Sequence, residues 1–373
     1  MIRPEYRVQV WADGANFGIG SLIADFECRK HVGWAKYLND IPEAFFTIDQ
    51  DDPKLADVAS TLRSKEGLAH VAILRDDKVA WRGLLGEHDA DERDAVFYCY
   101  GYEAHLYWLV TTWNQTWTGK TVGTILSDLW TRARSGIPDS PLAWVTTGTI
   151  QSPVTTSGGS TAIVLPSYKA YYKRLLSAFK ELTAVATSDT TNTCFFEMAH
   201  STSPTDKAVT FNVWKDRSTS QPIALAYGTN VSKFSERFAP ILSRNHVIGV
   251  GSGAFNLLLR TNQSTAGGSR GYTAFGRRQE PLYLSWVRDQ TDLDRVTKLR
   301  LAKARRFDMD LSLQMRLNSL PPLDGYALGD RFPVRVSRGI TRIDKEMQMV
   351  GIQVLANKGA EVVRPLMLDR SGS

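Results

Sequence analysis

Strict alternation of apolar and polar residues constrains this chain more than its composition does. A period of two commits one face of a strand to a core and the other to a different environment. The stretch His70 to Leu109 carries the signal. Val71 and Ile73, then Val79 and Trp81, alternate with polar or small neighbours, and Asp76-Asp77 between the two runs reads as a turn. Residues 88–94, HDADERD, read as a second, charged turn. Ala95 to Tyr100 alternates again, with Phe97 and Cys99 on one face and Val96, Tyr98 and Tyr100 on the other. The stretch predicts an antiparallel meander whose two aromatic-bearing faces both need cover.

The chain has 373 residues, more than one core usually organises, so several domains are expected. Hydrophobic residues make up 43% and charged residues 23%, the balance of an ordinary soluble protein. No apolar run reaches membrane-spanning length, so no stable membrane insertion is expected. The opening MIRPEYRVQVWADG lacks the hydrophobic segment of a secretory signal. Cys28, Cys99 and Cys194 are odd in number and widely spaced, which argues against a disulfide framework. The net charge of +6 is spread along the chain. It permits contact with nucleic acid and does not argue for sequence-specific binding.

Read in order, Tyr6–Trp11 and Phe17–Phe26 predict two strands, and AFFTID at 44–49 another. Residues 53–62, PKLADVASTL, predict a helix capped by Asp52, with Pro53 in its first turn and Leu55, Val58 and Leu62 facing inward. Thr121–Arg134 predicts a second helix, with Val122, Ile125, Leu126, Leu129 and Ala133 on one stripe. Ser167–Leu182 predicts a third, with Tyr168, Tyr171, Tyr172, Leu175, Phe179 and Leu182 on its apolar face. A fourth is expected over Thr291–Arg306. Strands are expected at 194–198, 208–214, 225–231, 246–250, 255–260, 309–317, 332–336, 342–354 and 362–368. The resulting fold class is mainly β with α+β insertions. It comprises a first barrel domain at 1–105, a helical α/β insert at 106–182, a second barrel at 183–306 and a small C-terminal β domain at 307–373.

Motifs that carry chemistry are weak. Gly119-Lys120-Thr121 lacks the glycine-rich loop of a phosphate site and suits helix capping. Gly249 to Ala254 matches the loose dinucleotide fingerprint, but no acid follows at the right distance. The histidines show no metal-ligand spacing. Ser269 has the spacing of a nucleophile elbow inside a polar loop, without the strand and helix that geometry needs. Asp89, Asp91, Glu92 and Asp94 lack the glycine and terminal glutamate of a calcium loop. No cofactor, metal or catalytic set is expected. Two patches remain. Trp108, Trp113 and Trp117 form a candidate interface or glycan-contact surface, although core packing also explains them. Arg300, Lys303, Arg305 and Arg306 form the densest basic run, which a solvated helix end also explains.

The run from Ile73 to Asp91 (ILRDDKVAWRGLLGEHDAD), followed by Gly101-Tyr102-Glu103, resembles the first domain of siphophage tail-hub proteins, a minor tail or baseplate hub family. Trp81-Arg82-Gly83 is similar to the family's W-x-G strand end. The helix Val122–Arg134 resembles its post-barrel helix, and Tyr227 to Val231 its lead into the later half of the second barrel. Leu328 to Val334 resembles its G-D-x-V/F-x-V strand. Thr341-Arg342-Ile343 and Gly359 to Val363 resemble its closing hairpin.

The resemblance implies a homotrimer at the distal end of a virion tail. Two tube-like barrels per chain imply a ring that adapts a sixfold tube to threefold tip proteins around a channel for genome ejection. Implied partners are the distal tail protein, the tail tube and tip or fibre proteins, with the tape measure protein and transiting DNA in the lumen. Loops 151–161 and 261–271 follow no family pattern and are expected to touch neighbouring tail proteins. The alternative is a receptor- or carbohydrate-binding minor tail protein with a groove near Trp113 and Trp117. An enzyme, such as a glycoside hydrolase or peptidase, needs a converging acid pair or nucleophile–histidine pair that the sequence does not announce.

Overall fold

The computed structural model describes residues 4–28, 30–152, 162–186, 194–214, 219–238, 244–253, 259–264, 276–284, 287, 290, 293–294, 297–298, 300–301, 309–316, 323–325, 327–357 and 360–369. The chain opens with strands β1 (Tyr6–Asp13), β2 (Ile19–Glu27), β3 (His31–Tyr37) and β4 (Glu43–Asp49). Helix α1 (Pro53–Ser64) forms as its sequence predicts. Asp52 caps it by accepting from Lys54 N at 2.8 Å, and Pro53 occupies a position where no N–H is needed. Leu55 and Leu62 are buried, and Val58 is half-buried against the same core.

The meander follows as β5 (His70–Arg75), β6 (Lys78–Ala90) and β7 (Asp94–Tyr100). Asp76 and Asp77 make the first turn at φ 51° and 61°, a left-handed conformation that aspartate tolerates. The second turn is shorter than expected, because β6 continues to Ala90. Asp91 Oδ1 closes it by accepting from the N–H groups of Arg93 and Asp94, each at 2.8 Å. Only one face of β7 is fully covered. Ala95, Phe97 and Cys99 are buried, whereas Tyr98 is exposed and Val96 and Tyr100 are half-buried.

The middle of the chain contains α2 (Ala104–Trp108), β8 (Thr116–Thr121), α3 (Val122–Ser135), β9 (Thr146–Ile150), β10 (Val164–Lys169) and α4 (Leu175–Ala186). Strands β11 (Phe195–His200) and β12 (Val209–Trp214) complete it. Thr121 caps α3 through Thr124 N at 3.2 Å, and the whole predicted stripe is buried. The helix expected at Ser167–Leu182 begins only at Leu175. Residues 164–169 are instead a strand paired with β8, with Tyr168 opposite Trp117. Strand pairing outweighs the helical spacing of the tyrosines there. Tyr168, Leu175, Phe179 and Leu182 are buried as expected, and Tyr171 and Tyr172 are exposed. One core joins α3 and α4 to β11 and β12, with Trp130 stacked on Phe211 at 4.0 Å between centroids.

The rest of the chain contributes β13 (Leu225–Ala226), β14 (Val231–Phe238), β15 (His246–Val250), β16 (Arg260–Ser264) and β17 (Gln279–Tyr283). It ends with β18 (Met309–Met315), β19 (Arg331–Arg338), β20 (Thr341–Asn357) and β21 (Ala360–Leu368). Within the helix expected at 291–306, residues 293–294, 297–298 and 300–301 are helical, and the others lie outside the described residues.

Among the described residues, the expected pair of tube-like barrels is not formed. The described strands form one open 13-stranded sheet, ordered β14-β18-β21-β20-β3-β4-β7-β6-β5-β1-β2 with β19 and β13 branching off, and three small sheets. These are β10-β8, β11-β12-β9 and β16-β15-β17. The physical reason lies in β20, a strand of 17 residues. Its second half pairs with β3 from Gly351↔Tyr37 to Asn357↔His31, so the C-terminal strands extend the N-terminal sheet instead of closing on themselves. The sheet stops at β2, where Lys54 Nζ donates to Asp25 O at 3.1 Å and Lys207 Nζ donates to Gly20 O. Lysines placed on an edge in this way satisfy its carbonyls and discourage further pairing.

Candidate functional site

A cleft of about 580 Å³ lies where β3, the β5–β6 hairpin, β11 and residues Leu323, Ala327 and Leu328 meet. The alternation of β3 puts Trp34 and Lys36 on one face, and both line it. Arg82, Glu103, Glu197 and His200 line it from the other elements.

Glu103, Glu197 and Arg82 are bound into the scaffold. Glu103, buried at the start of α2, accepts from Met198 N at 2.8 Å and so ties α2 to β11. Burial pushes its carboxyl up to about 7; the Met198 bond opposes this, Glu197 adds to it and Lys36 opposes it. Glu197 accepts from Trp214 Nε1 at 2.8 Å. Arg82 Nη1 donates to Asp206 O at 2.6 Å, and burial lowers its guanidinium from the ordinary value. Burial also lowers the Lys36 ammonium, which sits 5.4 Å from the Trp34 ring centroid. His200 is pulled down to about 3, by burial and then by Lys36.

Beside the cleft, His70 and Tyr102 share a hydrogen bond of 3.1 Å, and Trp144 packs edge-on against both rings. His70 and the neighbouring His105 are pulled down to about 4, each chiefly by burial. The Cys28 and Cys194 thiols are pushed up to about 12 by burial, and Cys99 is raised as well, so none is an activated nucleophile. All three cysteines are free. Among the described residues, no group of three or more His, Cys, Asp or Glu is placed to hold a metal ion. None of their helices is long and apolar enough to cross a membrane.

The three tryptophans of the candidate patch have separate environments. Trp108 is 52% exposed, Trp113 is half-buried against the middle core, and Trp117 is buried with Nε1 donating to Asp128 at 2.8 Å. Arg300 Nε donates to Glu280 at 2.8 Å, whereas Lys303, Arg305 and Arg306 lie outside the described residues. Ser269 and most of loops 151–161 and 261–271 also lie outside them. Lys120 is the penultimate residue of β8, and Thr121, its last, caps α3, as the capping reading expects. Sequence reading missed the cleft because its lining comes from segments far apart in the chain. It missed Tyr171 and Tyr172 as surface residues because their spacing mimics a helix face.

The fold is therefore a β-rich scaffold: one long open sheet carrying small sheets and a minor helical part. The same fold occurs in tail proteins and in a chain of a PdpA–VgrG complex. The tail protein from Neisseria meningitidis MC58 is 13% identical with a TM-score of 0.59, covering 98% of this chain and 96% of that one. The prophage MuSo2 43 kDa tail protein from Shewanella oneidensis is 10% identical with a TM-score of 0.61, covering 98% and 99%. A chain of the Francisella PdpA–VgrG complex is 10% identical with a TM-score of 0.56, covering 99% of this chain and 58% of its own length. No protein-family model and no curated protein matches the sequence.

Proposed function

We propose that the chain is a structural, non-catalytic component of a phage-type tail: the hub at the distal end of the tail tube in a virion. What supports this reading is fold likeness from end to end, with 98% of the chain covered against each of two tail proteins. In this reading three copies surround a lumen for the tape measure protein and transiting DNA. They join the tail tube and distal tail protein to tip or fibre proteins. The segments 1–105, 106–182, 183–306 and 307–373 are taken as its working parts. Adaptation from sixfold to threefold symmetry needs two closed barrels per chain, and the described strands form an open sheet instead. The cleft agrees with a structural role, because Glu103, Glu197 and Arg82 are each bound to backbone or to tryptophan.

Electron microscopy of the particles that carry the chain tests the reading. Threefold copies at the distal end of the tube are expected. Absence from the particle, or a position on the tube wall, overturns it. The exposure of Trp108 favours a second reading, a receptor- or carbohydrate-binding tail protein, and glycan binding lost on Trp108→Ala is its test.

A further inference from the structure

We propose that the exposed face formed by Tyr107, Trp108, Val110, Tyr171, Tyr172 and Arg174 is a docking surface for an acidic segment of a partner protein. The face exists because 107–111 and 171–175 run side by side. Val110 bridges Arg174, Leu175 N donates to Leu109 O at 3.0 Å, and Tyr172 N donates to Thr111 O at 2.7 Å. Thr111 is fully buried and locks the junction, its Oγ1 accepting from Lys173 N at 3.0 Å.

The local conformation presents apolar surface to solvent. Tyr172 is 69% exposed and sits at φ 50°, a left-handed conformation that a bulky side chain adopts only at a cost. Trp, Tyr and Arg are also the residue types that dominate protein–protein hot spots.

Charge selects the partner. Arg174 lies 3.8 Å from the Tyr107 ring centroid and Lys169 lies 5.4 Å from that of Tyr171. Among the described residues neither has an ion-pair partner. Glu181, which Tyr168 also reaches, accepts from Lys173 at 2.6 Å. The face is thus aromatic with two uncompensated cations, which an acidic surface complements. Ring geometry favours protein over sugar. Arg174 already covers one face of Tyr107, and the Tyr171 and Tyr172 rings are tilted by 43°, so they offer no flat stacking platform. The inference rests on the assembly reading only in supposing that a protein partner is present.

The test uses Tyr172→p-benzoylphenylalanine in the full chain, photo-crosslinked in the assembled particle, with Tyr283→p-benzoylphenylalanine as an exposed control elsewhere. The expected result is a crosslink from position 172 to one polypeptide, mapped to a segment containing Asp or Glu. Its yield should fall about tenfold or more with Arg174→Glu and be largely kept with Arg174→Lys, at unchanged melting temperature. A chain that is present in the particle yet gives no crosslink, a crosslink indifferent to Arg174→Glu, or one made only to carbohydrate overturns the proposal. Absence of the chain from purified particles sinks the assembly reading instead, and the two failures are told apart by particle composition.

Discussion

Arg75 and Glu361 stand 286 positions apart, and Arg75 Nε donates to Glu361 Oε2 at 2.7 Å. The bond ties the end of β5 to β21, two strands far apart in the ladder of the same sheet. The Tyr6 hydroxyl donates to the same carboxylate, whose side chain is only 5% exposed. Burial pulls the Arg75 guanidinium down, and the bond and charge of Glu361 outweigh it, leaving it above its ordinary value. Glu361→Ala removes the acceptor and leaves two donors behind, so a loss of about 3 kcal/mol is expected. Arg75→Met combined with Glu361→Leu should cost less than the sum of the single changes. Urea midpoints in a double-mutant cycle measure this, and simple additivity would show that the pair is not coupled.

The buried histidines make the fold sensitive to acid. His70 and His105 are held neutral, at about 4, while an unfolded histidine titrates near ~6.5. Their folded values are depressed, so their contribution is full above the unfolded value and lost as pH falls towards 4. Half-buried His200 adds in the same direction. His105→Phe should reduce the proton uptake on unfolding near pH 5.5 by up to about one. It should cost little at pH 7, because neither ring nitrogen of His105 has a hydrogen-bond partner among the described residues. Denaturant midpoints across pH decide between this and a histidine with an essential bond.

Glu103 runs the other way. Its folded value of about 7 is raised above the ~4.3 of an unfolded carboxyl, so its contribution is full below the unfolded value and lost as pH rises to about 7. Glu103→Gln keeps an acceptor for Met198 N without the charge. It should be more stable than the parent by about 2 kcal/mol at pH 8 and nearly equal at pH 4.5. Glu103→Leu, which loses the acceptor, should be less stable at both. A pH-independent difference for Glu103→Gln would argue that the carboxyl titrates normally.

Much of this architecture is written in local pattern. Asp52 before Pro53, Thr121 before Val122 and the alternation from His70 to Tyr100 each specify their element, because caps, turns and faces are decided by adjacent residues. Register between distant strands is not local. Nothing in Lys36 or Ile352 announces that they pair, so alternation alone was equally compatible with closed barrels. Tyr171 and Tyr172 show the same limit: their spacing fits a helix face, but pairing of Ser167 and Tyr168 with β8 places them in the following turn. The cleft was illegible for the same reason, since Lys36, Glu103 and Glu197 meet only after β11 docks on the main sheet.

The W-x-G run has a steric basis. A Cβ at Gly83 would lie 2.3 Å from Tyr100 O and 2.4 Å from Trp81 Cη2, so the β6–β7 ladder or the buried indole must shift. Gly83→Ala should cost about 1–3 kcal/mol. Gly67→Ala, where the added carbon meets nothing but φ is 79°, should cost less and mainly through backbone strain. Thermal melts of both variants rank them, and a harmless Gly83→Ala would refute the steric account.

Trp117 and Trp108 separate packing from recognition. Trp117 is core: it pairs with Tyr168 across β8 and β10, and its indole N–H is held by Asp128. Trp117→Ala should destabilise by about 3–5 kcal/mol, and any partner or glycan binding lost with it follows from unfolding. Trp108 is half-exposed, with its ring edge-on to His105, so Trp108→Ala should leave stability within about 0.5 kcal/mol. Binding lost in Trp108→Ala at unchanged melting temperature therefore reports recognition. If both variants melt together at lower temperature, Trp108 is part of the fold and the face it belongs to is not a docking surface.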